Sequence, residues 1–318
     1  MRPSGRLHIG NYKGALSNWL RLQEQAECFF MVADWHALTT DYENPSKLRL
    51  NTTDMVLDWL AAGLDPSRCV IFRQSDIPEH AELALALSMI TPLGWLERNP
   101  TYKEQLKELE GRDVSTHGFL GYPVLQAADI LLYQANAVPV GEDQLPHLEL
   151  SREIARRFNR LYGEIFPEPQ ALLTESPKIP GIDARKMSKS YGNTIDLADA
   201  PEILAQKVQR MFTDPTKIRA TDPGHPEGCV VCTFHRYFNP DWEARETECR
   251  EGRVGCVVRK KQLADILTEA LAPIREKRQE LSKQSGLVES VLKEGGEKAR
   301  IIAGGTMRRV KNVMGLSS

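Results

Sequence analysis

Short apolar runs that alternate with amphipathic stretches constrain the fold of this chain more than any other feature. CFFMVAD (residues 28–34), CVIFRQSD (residues 69–76) and AVPVG (residues 137–141) have the length and composition of buried strands. Residues 46–63, between the first two runs, repeat apolar side chains at helical spacing. Because strand, helix and strand in this order form a parallel βαβ unit, we expect an α/β fold with a doubly wound, Rossmann-like parallel sheet.

The second half of the sequence has a different pattern. Residues 200–213, 262–282 and 287–316 are helical in periodicity, rich in charge and without a strand-like run. A length of 318 residues fits two domains. We therefore expect a Rossmann-like domain over residues 1–195 and a second, all-helical domain over residues 196–318.

Composition excludes several classes of protein. The net charge of −2 gives no general attraction to polyanions, so any basic surface must be local. There is no run of about 18 apolar residues, so no transmembrane helix and no membrane partner are expected. Met1 leads directly into Pro, Gly and His, which is not a signal peptide. Six cysteines without a secretory signal favour a reducing, cytoplasmic location.

Two motifs suggest phosphate chemistry. In RPSGRLHIGN (residues 2–11) a turn-rich loop enters a helix, which is a good place to hold phosphates. Gly10 would allow close approach of the backbone, and His8 and Asn11 would donate hydrogen bonds as charge builds. In ARKMSKSYGN (residues 184–193) two lysines and two serines suit a clamp on a pyrophosphate leaving group. Each motif alone is also compatible with an ordinary surface loop.

HIGN and KMSKS together resemble the paired signature of the class I aminoacyl-tRNA synthetases. YPVLQAADILLY (residues 122–133) and VPVGEDQLPHLELSREIARRFN (residues 138–159) resemble the tryptophanyl-tRNA synthetase family, and the resemblance covers nearly the whole chain. It implies an enzyme in which the tryptophan carboxylate attacks the α-phosphorus of ATP, with Mg²⁺ on the phosphates. Tryptophan would then pass from the adenylate to tRNA(Trp).

The resemblance also implies the residues of the site. His8, Asn11, Lys186 and Lys189 would be catalytic. ATP would be bound by Arg2, Pro3, Ser4, Gly10, Asn11, Gly141, Glu142, Asp143, Ile179, Lys186, Met187, Ser188, Lys189 and Ser190. Tryptophan would be bound by Tyr122, Gln126, Asp129 and Gln144. Asp129 would accept the indole N–H, since a site that hydrogen-bonds its substrate rejects analogues lacking that group.

Four of the six cysteines lie in the second half: Cys229, Cys232, Cys249 and Cys256. Their spacing is compatible with a four-thiolate site for zinc or a [4Fe–4S] cluster, and also with four unrelated thiols. A subset of the resembling family carries such a cluster in its anticodon-binding domain. Arg259 stands where the fourth ligand of that subset would be, although Cys232 could supply a thiolate instead. A rearranged cluster, zinc and a lost site all remain open.

The family resemblance implies a homodimer whose helical domain binds the anticodon arm. Basic side chains that could contact phosphates there are Arg253, Arg259, Lys260, Lys261, Arg308, Arg309 and Lys311. In the family a strand precedes the HIGN loop, whereas only Met1 precedes RPSGRL here. We expect a true start a few residues upstream, and reduced solubility and weak tryptophan binding for the chain as written.

Other functions also remain open. The chain could be a class I ligase for another aromatic amino acid, or a catalytically silent synthetase paralogue that binds tryptophan or RNA as a regulator. The cysteines alone would also suit a redox-sensing RNA-binding protein. The intact signatures favour the enzyme, because a non-catalytic copy has no need of a pyrophosphate clamp.

Overall fold

Four short parallel strands, arranged in two pairs, lie at the centre of the first half of the chain. The computed structural model describes residues 1–100, 102–103, 116–173 and 179–316. Strand β1 (Phe29–Val32) pairs with β2 (Val70–Arg73), and β3 (Ala137–Val140) pairs with β4 (Gln170–Leu173). The α/β architecture with parallel strands and a helical C-terminal region is therefore confirmed.

The sheet differs from the expectation in two ways. The strands of the described residues form two separate pairs rather than one continuous sheet. Within the described residues, the edge of β1 that faces away from β2 is paired with Met1 alone, whose amino group donates to Met31 O at 2.6 Å and whose carbonyl accepts from Ala33 N at 2.9 Å. Strand β4 was not predicted, because its side chains are mostly exposed and it lies within a proline-rich segment, residues 167–181.

Helices lie around the strands, and the described residues from 200 onward form helices joined by loops. In the first half they are α1 (Ile9–Asn11), α2 (Ser17–Leu22), α3 (Asp34–Asp41), α4 (Leu48–Ala62), α5 (Glu79–Ser88), α6 (Leu93–Glu97), α7 (His117–Leu131) and α8 (Leu145–Tyr162). A π-helical segment, Tyr12–Leu16, joins α1 to α2. In the second half they are α9 (Pro201–Gln209), α10 (Val230–Phe238), α11 (Trp242–Arg250), α12 (Cys256–Ser282) and α13 (Leu287–Val313). Among these described helices, none has both the length and the apolar character needed to cross a membrane.

The first turn of α7 precedes the apolar stretch YPVLQAADILLY (residues 122–133). The helix begins at His117, five residues before Tyr122. Thr116 caps it, because its hydroxyl accepts a hydrogen bond from Phe119 N at 3.1 Å. Pro123 lies inside the helix. The cap therefore sets the start of the helix that carries Asp129.

The helical half packs directly on the strands. Gly295 of α13 lies so close to β2 that a β-carbon there would come within 1.8 Å of Ile71 O. One apolar core cluster includes Leu7 and Trp59 from the first half together with Leu263 and Leu292 from the second. The helical region thus packs against the sheet and against the HIGN loop. The domain boundary near residue 195 remains a prediction.

Candidate active site

The HIGN loop is held in place by its own helix cap. His8 Nδ1 accepts a hydrogen bond from Asn11 N at 3.2 Å, and Asn11 Oδ1 accepts one from His8 N at 3.2 Å. The side chains of both residues are therefore fixed at the start of α1. Burial, together with the positive charge of Lys189, lowers the pKa of His8 to about 4. The imidazole is thus neutral at neutral pH.

The second signature reaches the first through Lys189. Its Nζ donates to Ser4 O at 2.8 Å and lies 3.3 Å from Ser4 Oγ. Burial lowers the pKa of Lys189, and the carboxylates of Asp196, Asp58 and Asp54 oppose this effect. The two motifs, far apart in sequence, therefore form one positively charged loop pair.

The backbone around these motifs is closely packed. Ile9 N donates to Ile195 O at 2.9 Å, and Leu7 O accepts from Leu197 N at 2.9 Å. Ile195 and Leu197 lie just beyond KMSKS. A β-carbon at Gly10 would lie 3.0 Å from His8 Nδ1 and 3.5 Å from Met187 Sδ. The backbone at Gly10 therefore lies close to side chains of both signatures, His8 of HIGN and Met187 of KMSKS.

Asn193 shapes the KMSKS loop. Its buried amide donates to Asp183 Oδ1 at 2.7 Å and to Lys186 O at 3.1 Å, and its oxygen accepts from Ser188 N at 2.8 Å. The hydroxyls of Ser188 and Ser190 lie 2.9 Å apart. Met187 is buried, whereas Lys186 and Ser190 are exposed. The loop thus turns one lysine toward the HIGN loop and leaves the other at the surface.

Asp129 lies at the centre of a buried polar cluster. Its Oδ1 accepts from Gln74 Nε2 at 2.8 Å and contacts His80 Nδ1 at 2.7 Å, and its Oδ2 contacts His36 Nε2 at 2.7 Å. The carboxylate is 9% exposed. Burial raises the pKa of Asp129, but the bonds from His36 and His80 outweigh it and lower the pKa to about 2. A buried, ionised acceptor is therefore present where one was predicted.

Other predicted tryptophan-binding residues surround this cluster. The Tyr122 hydroxyl lies 2.9 Å from His147 Nε2, and its ring stands edge-on to His36. Gln126 is partly buried and lies one helical turn before Asp129 on α7. Gln144 donates to Asp143 Oδ2 at 2.9 Å. The negative charge of Asp129 acts on the amino group of Met1, which places the N-terminal segment beside this cluster.

The remaining predicted ATP residues lie on three segments. Arg2, Pro3 and Ser4 follow the bridge of Met1 to β1, and Arg2 and Ser4 are exposed. Gly141, at the end of β3, lies so close to Asp143 that a β-carbon would be 2.7 Å from its Oδ1. Glu142 is exposed and Ile179 is buried. Gly141 thus follows directly from the carboxyl end of a strand, where α/β folds bind ligands.

Sequence reasoning assigned no role to several residues that organise the site. They are His36, Gln74, His80, Tyr133, His147 and Asn193. A signal for two of them was present, because His36 and Gln74 follow the carboxyl ends of β1 and β2. The apolar spacing of α5 gave no hint that His80 would turn toward a carboxylate on another helix.

Three helix ends bring the four cysteines into one neighbourhood. Cys229 and Cys232 lie at the start of α10, Cys249 in the last turn of α11, and Cys256 at the start of α12. A hydrogen bond from Cys232 lowers the pKa of Cys229. Burial raises the pKa of Cys256, and the charges of Cys229 and Cys249 add to this effect. Within the part of the chain that the structure describes, however, no three His, Cys, Asp or Glu side chains are arranged to hold a metal ion.

Arg259 lies beside these cysteines and is buried. It is 2% exposed, and none of its three guanidinium nitrogens has a hydrogen-bond partner within the described chain. Burial, with the charge of Arg259 added, lowers the pKa of His235 to about 4. A buried cation without a partner is costly, and a metal with several thiolates would supply the missing negative charge. The unpaired charge of Arg259 therefore fits a metal–thiolate group at this place. The positions of the sulfur atoms among the described residues do not fit one.

The expectation that Arg259 contacts RNA phosphates is wrong, because a buried side chain cannot reach a polyanion. Lys260 donates to Gln209 O at 2.8 Å, and Lys311 pairs with Glu82 at 2.5 Å. Arg308 and Arg309 are exposed on α13. The basic surface is thus smaller than the sequence indicated.

Comparisons with known proteins agree with this geometry. Residues 1–272 match the family described as "tRNA synthetases class I (W and Y)". The chain is 53% identical to the tryptophan–tRNA ligase of Thermotoga maritima and 49% identical to that of Aquifex aeolicus. Each alignment covers 99% of this chain and 98% of the relative.

Solved structures extend the likeness to three dimensions. The tryptophanyl-tRNA synthetase of Campylobacter jejuni, solved with ADP and tryptophan, superposes with a TM-score of 0.88 at 35% identity. It is matched over 98% of its length and over 99% of this chain. The synthetase of Mycoplasma pneumoniae gives a TM-score of 0.82 at 30% identity, with 96% of that chain and 100% of this one covered. The chain therefore belongs to the class I tRNA synthetases of the tryptophan and tyrosine family, on its tryptophanyl-tRNA synthetase branch.

Proposed function

We propose that the chain is a tryptophan–tRNA ligase. It activates L-tryptophan with ATP to tryptophanyl-adenylate and pyrophosphate, and then esterifies the 3′ end of tRNA(Trp). The observation that carries this proposal is the contact of Lys189 with Ser4 beside His8, since it joins the two signatures into one anion-binding loop pair. Full-length relatives named tryptophan–tRNA ligase support the choice of amino acid.

Positioning and charge neutralisation perform the activation step. The neutral His8 and the amide of Asn11 donate hydrogen bonds to the α-phosphate as charge builds there. Lys189 and Lys186 neutralise the departing pyrophosphate, with Ser188 donating to its oxygens. Lys186 is exposed, so its ammonium group is free to reach the phosphates of bound ATP. The protein supplies no covalent nucleophile.

The rest of the ATP site surrounds the nucleotide. Arg2, Pro3, Ser4 and Ser190 line the phosphates, and Gly10 lets backbone approach them, because it carries no β-carbon that would crowd the His8 ring. Gly141, Glu142 and Asp143 lie at the ribose, Ile179 contacts the adenine through its backbone, and Met187 lies over the phosphates with the rest of KMSKS. Mg²⁺ arrives with ATP and neutralises phosphate charge.

The tryptophan pocket uses a carboxylate acceptor. Asp129 accepts the indole N–H, and Gln126 lines the same pocket from the preceding turn. Tyr122 and Gln144 hold the amino group or carboxylate of the amino acid. The carboxylate of Asp129 is ionised and buried, so it accepts a donor strongly and rejects a side chain that lacks one.

Charging of tRNA(Trp) tests the proposal. The chain should esterify a tRNA(Trp) transcript with tryptophan, and Lys189→Met should slow adenylate formation by about 10²–10³-fold. Tryptophan binding, measured by calorimetry, should change little in this variant. Lys277→Met, on exposed α12 surface, is the control. Tryptophan binding without any charging by the wild-type chain would favour the regulator instead.

The second half of the chain is proposed to bind the anticodon arm of tRNA, and Arg308 and Arg309 are the phosphate contacts we favour. Substituting both with Gln should weaken tRNA binding and reduce its salt dependence. Tryptophan-dependent exchange of pyrophosphate into ATP should stay unchanged. Equal salt dependence in the variant would contradict this surface.

A homodimer is also proposed. Leu85, Met89 and Leu93 are each more than 60% exposed and follow one another through α5 and into α6. Exposed apolar side chains of this size commonly mark a protein interface. Light scattering should give twice the chain mass, and Met89→Lys should shift the mass toward the monomer.

A cytoplasmic location likewise remains a prediction.

The cysteine cluster is proposed to hold a metal, a [4Fe–4S] cluster or zinc, through Cys229, Cys232, Cys249 and Cys256. Support comes from Arg259, a buried guanidinium without a hydrogen-bond partner within the described chain. Elemental analysis of anaerobically purified protein should find iron with sulfide, or zinc. Arg259→Met should lower the metal content without unfolding the chain. Metal-free protein with four reactive thiols would contradict the proposal.

A further inference from the structure

The hydrogen bonds of Asp129 extend to a second layer of buried groups. His80 is completely buried, with Nδ1 2.7 Å from Asp129 Oδ1 and Nε2 2.8 Å from the Tyr133 hydroxyl. Gln74 Nε2 donates to the same Oδ1 at 2.8 Å. The proposed mechanism uses Asp129, but it does not use His80 or Tyr133.

The chemistry of these groups fixes the direction of each bond. Asp129 is ionised and can only accept, so His80 Nδ1 carries the proton that it donates. Burial raises the pKa of Tyr133, and the charge of Asp129 adds to this effect, so its hydroxyl keeps its proton. That hydroxyl donates to His80 Nε2, which holds the ring in the Nδ1–H tautomer.

The count of acceptor positions shows what this achieves. A carboxylate oxygen has two lone pairs in its plane. The two donors on Oδ1, from Gln74 and His80, occupy both of them. Oδ2 has a single contact among the described residues, to His36. One lone pair of Oδ2 is therefore left for an incoming donor.

We propose that His80, held in one tautomer by Tyr133, is a positioning residue that reserves Asp129 Oδ2 for the indole N–H. It thereby sets the selectivity of the pocket for an aromatic side chain that carries a donor. The inference rests on the proposed function, because it takes Asp129 as the indole acceptor. His80 has no exposed surface and acts only through Asp129.

The test compares tryptophan with the analogue in which sulfur replaces the indole N–H. The measured quantity is the ratio of kcat/KM for the two substrates in ATP–pyrophosphate exchange. Tyr133→Phe removes one hydroxyl, frees the second tautomer, and should lower this ratio by about 3–10-fold. His80→Leu should lower it by about 10–100-fold. In both variants kcat/KM for the analogue should change little.

A conservative replacement separates positioning from packing. In His80→Asn the amide nitrogen replaces Nδ1 and needs no tautomer, so it should restore most of the ratio lost in His80→Leu. Adding Tyr133→Phe to His80→Asn should then cause no further loss in the ratio. Tyr162→Phe, whose ring packs on Phe158 in α8, is the matched control for loss of a tyrosine hydroxyl.

The outcomes distinguish this inference from the proposed function. An unchanged ratio in Tyr133→Phe and His80→Leu, with both substrates slowed equally, would overturn the positioning role. If His80→Leu does not fold, Tyr133→Phe and His80→Asn decide the question. If Asp129→Asn also leaves the ratio unchanged, Asp129 is not the indole acceptor, and the proposed pocket itself fails.

Discussion

Gly10 shows how a single residue can govern both signatures. A β-carbon there would lie 3.0 Å from His8 Nδ1, and the ring cannot move without losing its bond to Asn11 N. The same β-carbon would come into van der Waals contact with Met187, 3.5 Å from its Sδ. The space above Gly10 is thus shared by HIGN, KMSKS and, in our proposal, a phosphate.

We predict that Gly10→Ala raises the KM for ATP in pyrophosphate exchange by about 10-fold or more, because His8 is displaced from its hydrogen-bonded position. Gly14→Ala, in the π-helical segment that follows α1, is the control, since a β-carbon there meets no atom within 4 Å. An equal KM in the two variants would contradict the packing described for Gly10.

Three buried histidines predict a pH dependence of stability. Burial lowers the pKa values of His8, His147 and His235 to about 4 each. The unfolded chain, with histidine pKa near 6.5, binds protons between pH 6.5 and 4 that the folded chain does not. Stability is therefore complete above pH 6.5 and is lost as pH falls toward 4, by up to about 1.4 kcal/mol per pH unit for each histidine.

Urea unfolding at pH 7 and pH 5 measures this effect. The free energy of unfolding should be lower at pH 5, and His235→Asn should reduce the difference because one titrating group is gone. His235 lies among the cysteines rather than near ATP, so the variant also leaves the candidate active site intact. Equal free energies at the two pH values would show that these histidines are not buried in their neutral form.

At the scale of elements, the hydrophobic periodicity predicted the strands whose side chains are buried. It did not predict features that depend on helix capping or on backbone pairing between strands. Strands β1 and β2 were evident because both are apolar and buried between helices. Strand β4 was not, since backbone pairing with β3 holds it while its side chains stay mostly exposed. The start of α7 depends on the cap at Thr116, which an apolar pattern does not include.

The packing of helix α13 on strand β2 predicts how two neighbouring glycines differ in their effect on stability. Gly295→Ala should destabilise the chain by about 1–3 kcal/mol or more, because its β-carbon would clash with the backbone at Ile71. Gly296→Ala, one residue along the same helix, meets no atom within 4 Å and should be neutral or stabilising by up to about 1 kcal/mol. Thermal unfolding of the two variants measures the difference, and equal melting temperatures would contradict this contact.

Across the whole molecule, Asp58 connects the helical half to the HIGN loop. Its Oδ2 accepts from Leu7 N at 2.5 Å, and its Oδ1 accepts from Arg278 Nε of α12 at 2.6 Å. Burial raises the pKa of Asp58, and the bonds from Leu7 and Arg278 oppose this effect. Helix α12 begins at the cysteine cluster, so one helix runs from there to the contact of Arg278 with Asp58 beneath the HIGN loop.

Arg278→Met should cost about 3–5 kcal/mol of stability, because it leaves the buried carboxylate of Asp58 without its cation. The KM for ATP should rise as well, since Leu7 leads directly into His8. Lys277→Met breaks an exposed ion pair with Glu280 and should cost no more than about 1 kcal/mol. An effect of Arg278→Met as small as that of the control would contradict the connection.

The sequence predicted the residue types of the candidate site, but it did not predict the side-chain contacts among them. HIGN, KMSKS and the aspartate of AAD could be read from the chain because each is a contiguous motif. The contacts of His80 with Asp129 and of Arg278 with Asp58 join residues dozens to hundreds of positions apart. Such pairs depend on how helices pack, which no local pattern records. Arg259 was misread for the same reason, since nothing in GCVVRKK distinguishes a buried arginine from an exposed one.

The most direct test of the account is ATP–pyrophosphate exchange by the wild-type chain with tryptophan or tyrosine as the amino acid. We predict exchange that depends on tryptophan, is weaker with tyrosine by several orders of magnitude, and is strongly reduced for tryptophan in Asp129→Ala. Well-folded protein that shows no exchange with tryptophan, or exchanges equally with both amino acids, would contradict the central claim.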